Sequence, residues 1–473
     1  MKILMATFWG LQNLGGIWTY IRQLSEWYAE HGIEVDVIGT DMQKETVYIL
    51  KKGWLFEKKA VLPALRSTFT TDHVPAFHAD PYLAYLELNR YAYELGIAYL
   101  GTESYDLIHA QDPISAYSIS RVMKRKVPLV TSYHGSLHLE GYLDELQMNP
   151  AARKEDYLRT PLGKYYQTME QLGIAASDGF IVSSSWIQQL MQQFGAPPAA
   201  FSRIPYAVDL VQYDELAAKQ TSYPAPPNKK VIAFTGRLEY IKGIHVLLEA
   251  AALLKEYRED FVIWIAGEGS MGPLYREQTE QKELHDYVKF WGIVNNVPSF
   301  LKNAHIYVQP SLQDTQPFSV TEAQLAGIPV IVADTAGMPD MVVEGKTGYV
   351  VPPSNAAALA RKLDYLLTHP KVRTRVGTAA RTWARKYRSL DRQAEDTLAV
   401  YERYIKKDRM AERGQDEKTD MKIGRGARTE SLSTSSTFSL HHLPISSELL
   451  ADLMSKIPAD YRLPDRKVIK EGK

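Results

Sequence analysis

Two carboxylates, Asp314 and Glu322, stand eight positions apart in the stretch QPSLQDTQPFSVTEAQLAG, residues 309–327. An apolar run leads into it, a Pro-Ser turn and a polar loop carry Asp314, and a helical pattern begins near Val320 with Glu322 close behind. The start of such a helix leaves backbone N–H groups unpaired and carries the positive end of the dipole, which suits a phosphate. A carboxylate beside it can accept hydrogen bonds from sugar hydroxyls. The same pattern also describes an ordinary strand-to-helix connection with capping acids, so the acid pair gains meaning only from its neighbours.

Those neighbours exist. Arg237 follows the strand-like run KVIAFT (230–235), and Lys242-Gly243 opens the next helical pattern. A guanidinium clamps phosphate oxygens in a fork and an ammonium adds a point charge. No Asp-X-Asp pair occurs in the chain, so a metal-chelating diphosphate site of that type is not expected. Earlier, His134 follows the strand-like run PLVTS within PLVTSYHG, and Gly15-Gly16 stands where a first strand turns into a helix. In open α/β sheets ligands gather at the C-terminal ends of strands. Taken singly, the histidine is equally a structural residue and the glycine pair a packing device.

The elements that must position these residues repeat in two series. Lys2–Ala6, a helix of period 3.6 ending at Gly32, and EVDVI (34–38) form a βαβ unit without a GxGxxG fingerprint. Further strands are read at 106–110, 128–132 and 179–183. After the proline-rich YPAPPN the pattern restarts with strands at 230–235, 261–266, 287–291, 305–309, 328–332 and 349–351. The expected architecture is α/β, two Rossmann-like doubly wound domains facing across a cleft. The first covers 1–222, a linker 223–228, and the second 229–387; a helix near 388–406 is expected to pack back on the first. Residues 408–473 read as a largely disordered tail, charged and then Ser/Thr-rich over 408–437, with one short helix near 447–457.

Composition narrows the class. Lys and Arg number 55, as do Asp and Glu, so no excess charge points to nucleic acid. Without cysteine there is no disulfide, thiolate metal site or cysteine nucleophile, which fits a cytoplasmic protein. MKILMATFWG reads as a first strand and not as a signal peptide. No apolar run approaches the ~20 residues that span a bilayer. Membrane contact, if any, is peripheral at the inner face; KKGWLFEKK (51–59) is its candidate, with a solvated hairpin as the plainer reading.

Taken together, the stretches resemble a retaining family-4 glycosyltransferase of the GT-B fold over about residues 1–406. They are GG at 15–16, YHG at 133–135, GRLEYIKG at 236–243, AGEG at 266–269, VKFWG at 288–292, QPSLQDTQPFSVTEAQLAGIPVI at 309–331 and GKTGYVVPP at 345–353. The resemblance implies transfer of a hexose or N-acetylhexosamine from a nucleoside-diphosphate sugar to a carbohydrate or glycolipid acceptor, with no metal or other cofactor. It gives Arg237 and Lys242 the donor diphosphate and the charge that builds as the glycosidic bond breaks. Backbone N–H groups of Phe318, Ser319 and Val320 assist. Glu322 takes the ribose hydroxyls, Asp314 and His134 the donor sugar, Gly15-Gly16 the phosphate or acceptor, and Gly292 the border of the base. Asp314 departs from the family's Glu-X7-Glu pattern, with a reach shorter by roughly 1.5 Å. Gln111-Asp112 stands where a second histidine is often found. Two other classes are carried alongside. One is a catalytically degenerate GT-B protein that binds sugar nucleotides as a scaffold. The other is a GT-B phosphorylase or epimerase, disfavoured because no lysine is placed for a pyridoxal cofactor.

Overall fold

The computed structural model describes residues 1–11, 15–70, 80–220, 223–419, 439–465 and 467–468, with backbone alone for 412–419. Two sheets dominate it. The strands of the first are β1 (Lys2–Gly10), β2 (Glu34–Thr40), β3 (Thr46–Ile49), β4 (Trp54–Glu57), β5 (Leu107–Ala110), β6 (Leu129–Tyr133), β7 (Gly179–Val182) and β8 (Phe201–Arg203). They lie in the order β4-β3-β2-β1-β5-β6-β7-β8. Pairing is parallel from β2 to β8, while β3 and β4 form an antiparallel edge hairpin. The second sheet holds β9 (Lys230–Thr235), β10 (Phe261–Ala266), β11 (Val288–Gly292), β12 (Ile306–Gln309), β13 (Val330–Ala333) and β14 (Gly348–Val351). Their order is β11-β10-β9-β12-β13-β14, all parallel. The α/β, doubly wound architecture expected from the sequence is the one found. The buried apolar runs of β5, β7, β10, β12 and β13 suit strands covered on both faces by helices.

Each sheet reverses its winding once, between β1 and β5 and between β9 and β12. A crevice opens outside the strand ends at such points. Trp9, Gln111 and Asp112 stand at the first; Gly236, Arg237 and Asp314 stand at the second, and all six line one cleft. Topology alone thus brings residues some 300 positions apart into one place.

Three features differ from the sequence reading. The chain crosses to the second domain well before the proline-rich segment. Helix Leu210–Ala218 already packs there, with Tyr213 set among Leu325 and Ala384 and donating from its hydroxyl to the Glu322 carbonyl at 2.9 Å. YPAPPN therefore runs over the second domain's own surface, with Tyr223 against Trp291 and Phe300. The last helix is also longer, Leu390–Thr419. Ala394, Val400, Tyr401, Tyr404 and Ile405 join the core under β1, with Ile3, Met5 and Leu107. The expected disorder over 408–437 is thus met by helix up to Thr419, and 420–438 lie outside the described residues.

Residues 439–465 also pack. The helix Ser447–Lys456, capped by the Ser446 hydroxyl, lies on the long helix Pro81–Leu100. Leu440, Leu443, Leu453, Ile457, Tyr461 and Leu463 join the first domain's core beside Leu86, Tyr91 and Leu95. Beneath them Glu87, Arg90, Glu94, Arg121 and Asp465 form a buried charge cluster: Arg90 Nε to Glu87 at 2.7 Å, Arg121 Nε to Glu94 at 3.0 Å, and Arg121 Nη1 to Asp465 at 2.8 Å. Tyr117, Tyr165 and Tyr461 donate hydroxyls to Asp465, Glu87 and Glu94. Desolvation raises the Asp465 carboxyl, but Arg90 and Arg121 outweigh it and leave the group below its usual range. A charged tail that looked too polar to fold finds its partners on two helices of another part of the chain, Pro81–Leu100 and Pro113–Val122.

The hairpin β3–β4 carries the basic-aromatic segment. Phe56 anchors it in the core, Trp54 and Leu55 are exposed, and Lys52 bonds Asp36 at 2.7 Å. Among the described residues no helix is long and apolar enough to cross a membrane.

Candidate active site

The cleft between the two sheets has a volume of about 950 Å³. Its second-domain wall is built at three strand ends. After β9 the chain turns through Gly236 and Arg237 into the short 3-10 turn Tyr240–Lys242 and then the helix Ile244–Lys255. Gly243 joins the two in a left-handed conformation, φ 68°. A Cβ there would sit 2.1 Å from the Pro310 carbonyl oxygen, so only glycine lets the Lys242 turn lie on the loop that follows β12. That loop delivers Asp314, and Lys242 Nζ meets its Oδ2 at 2.6 Å. Both side chains are mostly covered, at 17% and 14% exposure. Arg237, by contrast, is exposed to the cleft and makes no hydrogen bond or ion pair among the described residues.

Helix Phe318–Leu325 begins at the end of the same loop with no side-chain cap. The N–H groups of Phe318 and Ser319 therefore remain for a ligand. Val320 does not share in this: its N–H bonds the Pro317 carbonyl at 3.1 Å and its side chain is buried in the domain core. One turn on, the Glu322 carboxylate faces the cleft with no protein partner among the described residues. Enclosure in this wall pushes its carboxyl up to about 7. Gly292 stands one layer back. Its carbonyl holds the Gly267 N–H at 2.7 Å, and the cleft meets instead its neighbours Ile293 and Val294, with Val297 and Pro298.

The first-domain wall presents Gly15 and Gly16 at the start of the helix Gly16–Glu30, which also has no side-chain cap. Gly16 comes close to the Phe318 ring, so the two uncapped helix starts approach each other from opposite domains. His134 is fully engaged. Its Nε2 lies 3.0 Å from Gln111 Oε1 and its Nδ1 bonds the Tyr206 hydroxyl. The Gln111 amide N–H₂ donates to the His109 carbonyl at 3.2 Å, which leaves its oxygen to accept from His134. The hydrogen therefore sits on Nε2 and Tyr206 donates to Nδ1. Burial lowers the ring to about 3, so it is neutral. Gln111, whose place departs from the family's histidine, thus fixes the tautomer of His134. Asp112 caps the next helix through Ser115 N at 2.7 Å and takes the Phe8 N–H at 2.9 Å, a structural task.

Sequence reasoning missed the groups that join the walls. Thr315 Oγ1 donates to the His134 carbonyl at 2.7 Å. Gln316 donates to the Ser183 carbonyl at 2.7 Å while accepting from Tyr206 N at 3.1 Å and Arg388 Nη1 at 2.7 Å. The Tyr206 ring stacks on Phe318, centroids 5.6 Å apart. The sole sequence hint was polarity within a loop that should have been apolar if buried. Glu140, on the helix Leu137–Met148, lines the same cleft and was likewise missed. Among the described residues no group of three or more acids or histidines is arranged to hold a metal.

With this geometry in hand, comparison with known proteins is direct. A family model described as glycosyl transferases group 1 matches residues 217–383, and one described as glycosyltransferase family 4 matches 14–212. A D-inositol 3-phosphate glycosyltransferase of Streptomyces bingchenggensis is 27% identical over 63% of this chain, and the match spans 66% of its own length. A glycogen synthase of Mycobacterium tuberculosis is 25% identical, the match spanning 63% of its length. An uncharacterised glycosyltransferase of Methanocaldococcus jannaschii is 26% identical over 85% of this chain and 98% of its own. Among solved structures, sucrose-phosphate synthase of Thermosynechococcus elongatus superimposes with a TM-score of 0.63 at 19% identity, covering 85% of this chain and 99% of that one. HepE of Anabaena, in complex with UDP and glucose, gives 0.56 at 16% over the same shares. The two family models together take in both walls of the cleft, from Gly15 to Glu322 and beyond: the chain belongs to the family-4 glycosyltransferases and has their GT-B fold.

Proposed function

We propose that the chain transfers a hexose or N-acetylhexosamine, with retention of anomeric configuration, from a nucleoside-diphosphate sugar to a carbohydrate or glycolipid hydroxyl, without a metal. One observation carries the reading. An unpaired arginine, a lysine and two uncapped helix starts converge on one cleft, beside a free carboxylate one helical turn away. Positive ends and cations of that kind suit a diphosphate, and they act hardest when its charge grows in the transition state. Glu322 suits ribose hydroxyls, and Ile293, Val294 and Val297 offer an apolar bed for a base. Asp314 and Thr315 face the sugar's place between the diphosphate and His134.

A thermal-shift screen of UDP-, GDP- and ADP-sugars tests the donor. At a hundredfold excess over Kd the true donor stabilises by about 2.7 kcal/mol. Added EDTA should leave both the shift and the turnover unchanged, and a loss of both would reinstate a metal. The product's anomeric configuration, read by NMR, tests retention. The scaffold reading draws on the Lys242–Asp314 pair, in which the donor-side acid is already satisfied by protein. It predicts binding by some nucleotide sugar with no turnover across acceptors.

A pH dependence follows from Glu322. Ligand hydroxyls bond its ionised form, while the empty cleft holds the carboxyl at about 7. Binding must then pull a proton off below that value, so affinity rises with pH. A nucleotide sugar, whose own phosphates do not titrate there, should bind roughly tenfold tighter at pH 8 than at pH 6. Calorimetry on the parent chain and Glu322→Gln checks it: the variant's affinity should be flat, and a flat parent would remove Glu322 from the donor site.

A further inference from the structure

Ser136 caps the helix Leu137–Met148, and the first turn of that helix carries Glu140 into the cleft. The carboxylate rests on the bare face of Gly135. A Cβ at that glycine would come 2.0 Å from Glu140 Oε1, so the glycine is what allows the acid to lie beside His134. Glu140 makes no hydrogen bond or ion pair among the described residues and is exposed to the cleft. The polar groups around it on this wall are already occupied: both nitrogens of His134, the amide of Gln111, and both oxygens of Asp112. Across the gap stands the Lys242–Asp314 pair. One acid is thus left without a partner, on the wall opposite the donor groups, beside the place where a donor sugar would lie.

We propose that Glu140 is a catalytic residue on the acceptor side, the carboxylate that receives the attacking hydroxyl and takes its proton. The proposal rests on the transfer reading above and names the part of it that the first domain performs. The acceptor oxygen forms its bond to the anomeric carbon from the same face that the diphosphate leaves, so the configuration is retained. The bond from that carbon to the phosphate oxygen breaks, its electron pair leaving with the nucleoside diphosphate. The hydroxyl proton passes to Glu140 and from there to solvent. Lys242 and Arg237 hold the departing charge, so each wall handles one half of the exchange.

The surroundings suit this role. Enclosure by the cleft walls is the main influence on the Glu140 carboxyl. Lys242, on the facing turn, opposes it, while Asp144 on the same helix, Glu170 on the helix Pro161–Ala176, and Asp314 add to it. The result is a carboxyl raised to about 7 although the acid itself stays open to the cleft. Proton acceptors work best when they titrate near the working pH.

The test uses the full chain and its Glu140→Gln and Glu140→Asp variants, with UDP-, GDP- and ADP-glucose as donors. Water, D-glucose and myo-inositol serve as acceptors, and release of nucleoside diphosphate is followed from pH 5.5 to 8.5. Donor binding by thermal shift should be the same in all three proteins, which also shows that they fold. With donor saturating at every pH, turnover by Glu140→Gln should fall about 100-fold at pH 8, and the parent's rise in rate through pH 7 should vanish. Glu140→Asp should keep the rise at a reduced rate. Turnover of Glu140→Gln within threefold of the parent, or a loss of donor binding in step with rate, overturns the proposal. Failure of the transfer reading looks different: the parent chain itself neither binds nor turns over any nucleotide sugar, and Glu140 then has no reaction to serve.

Discussion

Lys242→Ala and Arg237→Ala are each expected to lower transfer by about 10²–10³-fold while unfolding close to the parent's temperature. The size follows from where the charge develops. When the glycosidic bond breaks, the leaving diphosphate gains negative charge in a narrow cleft, and a fixed cation there acts without first reorganising water. Among the described residues Arg237 has no hydrogen-bond or ion-pair partner to lose, so its removal costs the fold little. Lys242 has one, Asp314 at 2.6 Å, and its removal leaves that carboxylate with only the Ser311 hydroxyl, at 3.4 Å. The pair variant Lys242→Ala with Asp314→Asn separates the two effects. It should restore the loop's stability and leave transfer as low as in Lys242→Ala. Rates near the parent's in both single variants would remove these cations from the reaction and favour the scaffold reading.

A chain ending at residue 438 is expected to show the largest loss of stability. It gives up Leu453, Leu463 and Ile457 from the first domain's core and uncovers Leu86 and Leu95. It also strips Asp465 from Arg121 and Arg90. Removing one member of a buried charge cluster costs about 3–5 kcal/mol on its own. A domain of some 200 residues shifts its midpoint by about 2–4 °C per kcal/mol, so calorimetry should show the first domain melting at least ~10 °C earlier. The second domain's transition should stay in place, still responsive to nucleotide. Should the short chain prove insoluble, Asp465→Ala tests the same cluster. The Asp465 carboxyl is held below its usual range, so its contribution is present above the unfolded pKa of about 4 and fades as pH falls through the folded value. The gap between parent and Asp465→Ala should therefore narrow in acid. A midpoint within 2 °C of the parent for both variants would show the tail to be an ornament.

Both predictions bear on what the sequence made legible. The two doubly wound sheets, the short helix near 447–457 and part of the cleft lining, Gly292 and Val320 excepted, could be read because each follows from a local pattern: a buried β run, a 3.6 period, a glycine at a strand end. Three kinds of feature could not. The crossing at Val208–Leu210 has no proline or glycine signature, since it is held by Tyr213 reaching the Glu322 carbonyl. The docked tail looked disordered because its charges find partners more than 300 residues away, at Glu94 and Arg121. Glu140 gave no signal because an acid in the first turn of a helix is also where a simple capping acid belongs. Asp314 was readable as a departure from a family pattern, but its lysine partner was not. The two lie 72 positions apart and meet because β9 and β12 are neighbours in the sheet.

The shared core of the first domain also sets a timetable. Ile3 packs with Tyr401, and Leu86 with Leu453, so the first domain is finished by residues made more than 350 positions later. On a ribosome adding about 5–20 residues per second, the helix Pro81–Leu100 waits on the order of 20–70 s for its cover. During that interval the part of its face that Leu453 and Leu463 will cover stays open, and Arg90 lacks Asp465. The order of synthesis therefore runs against the order of burial.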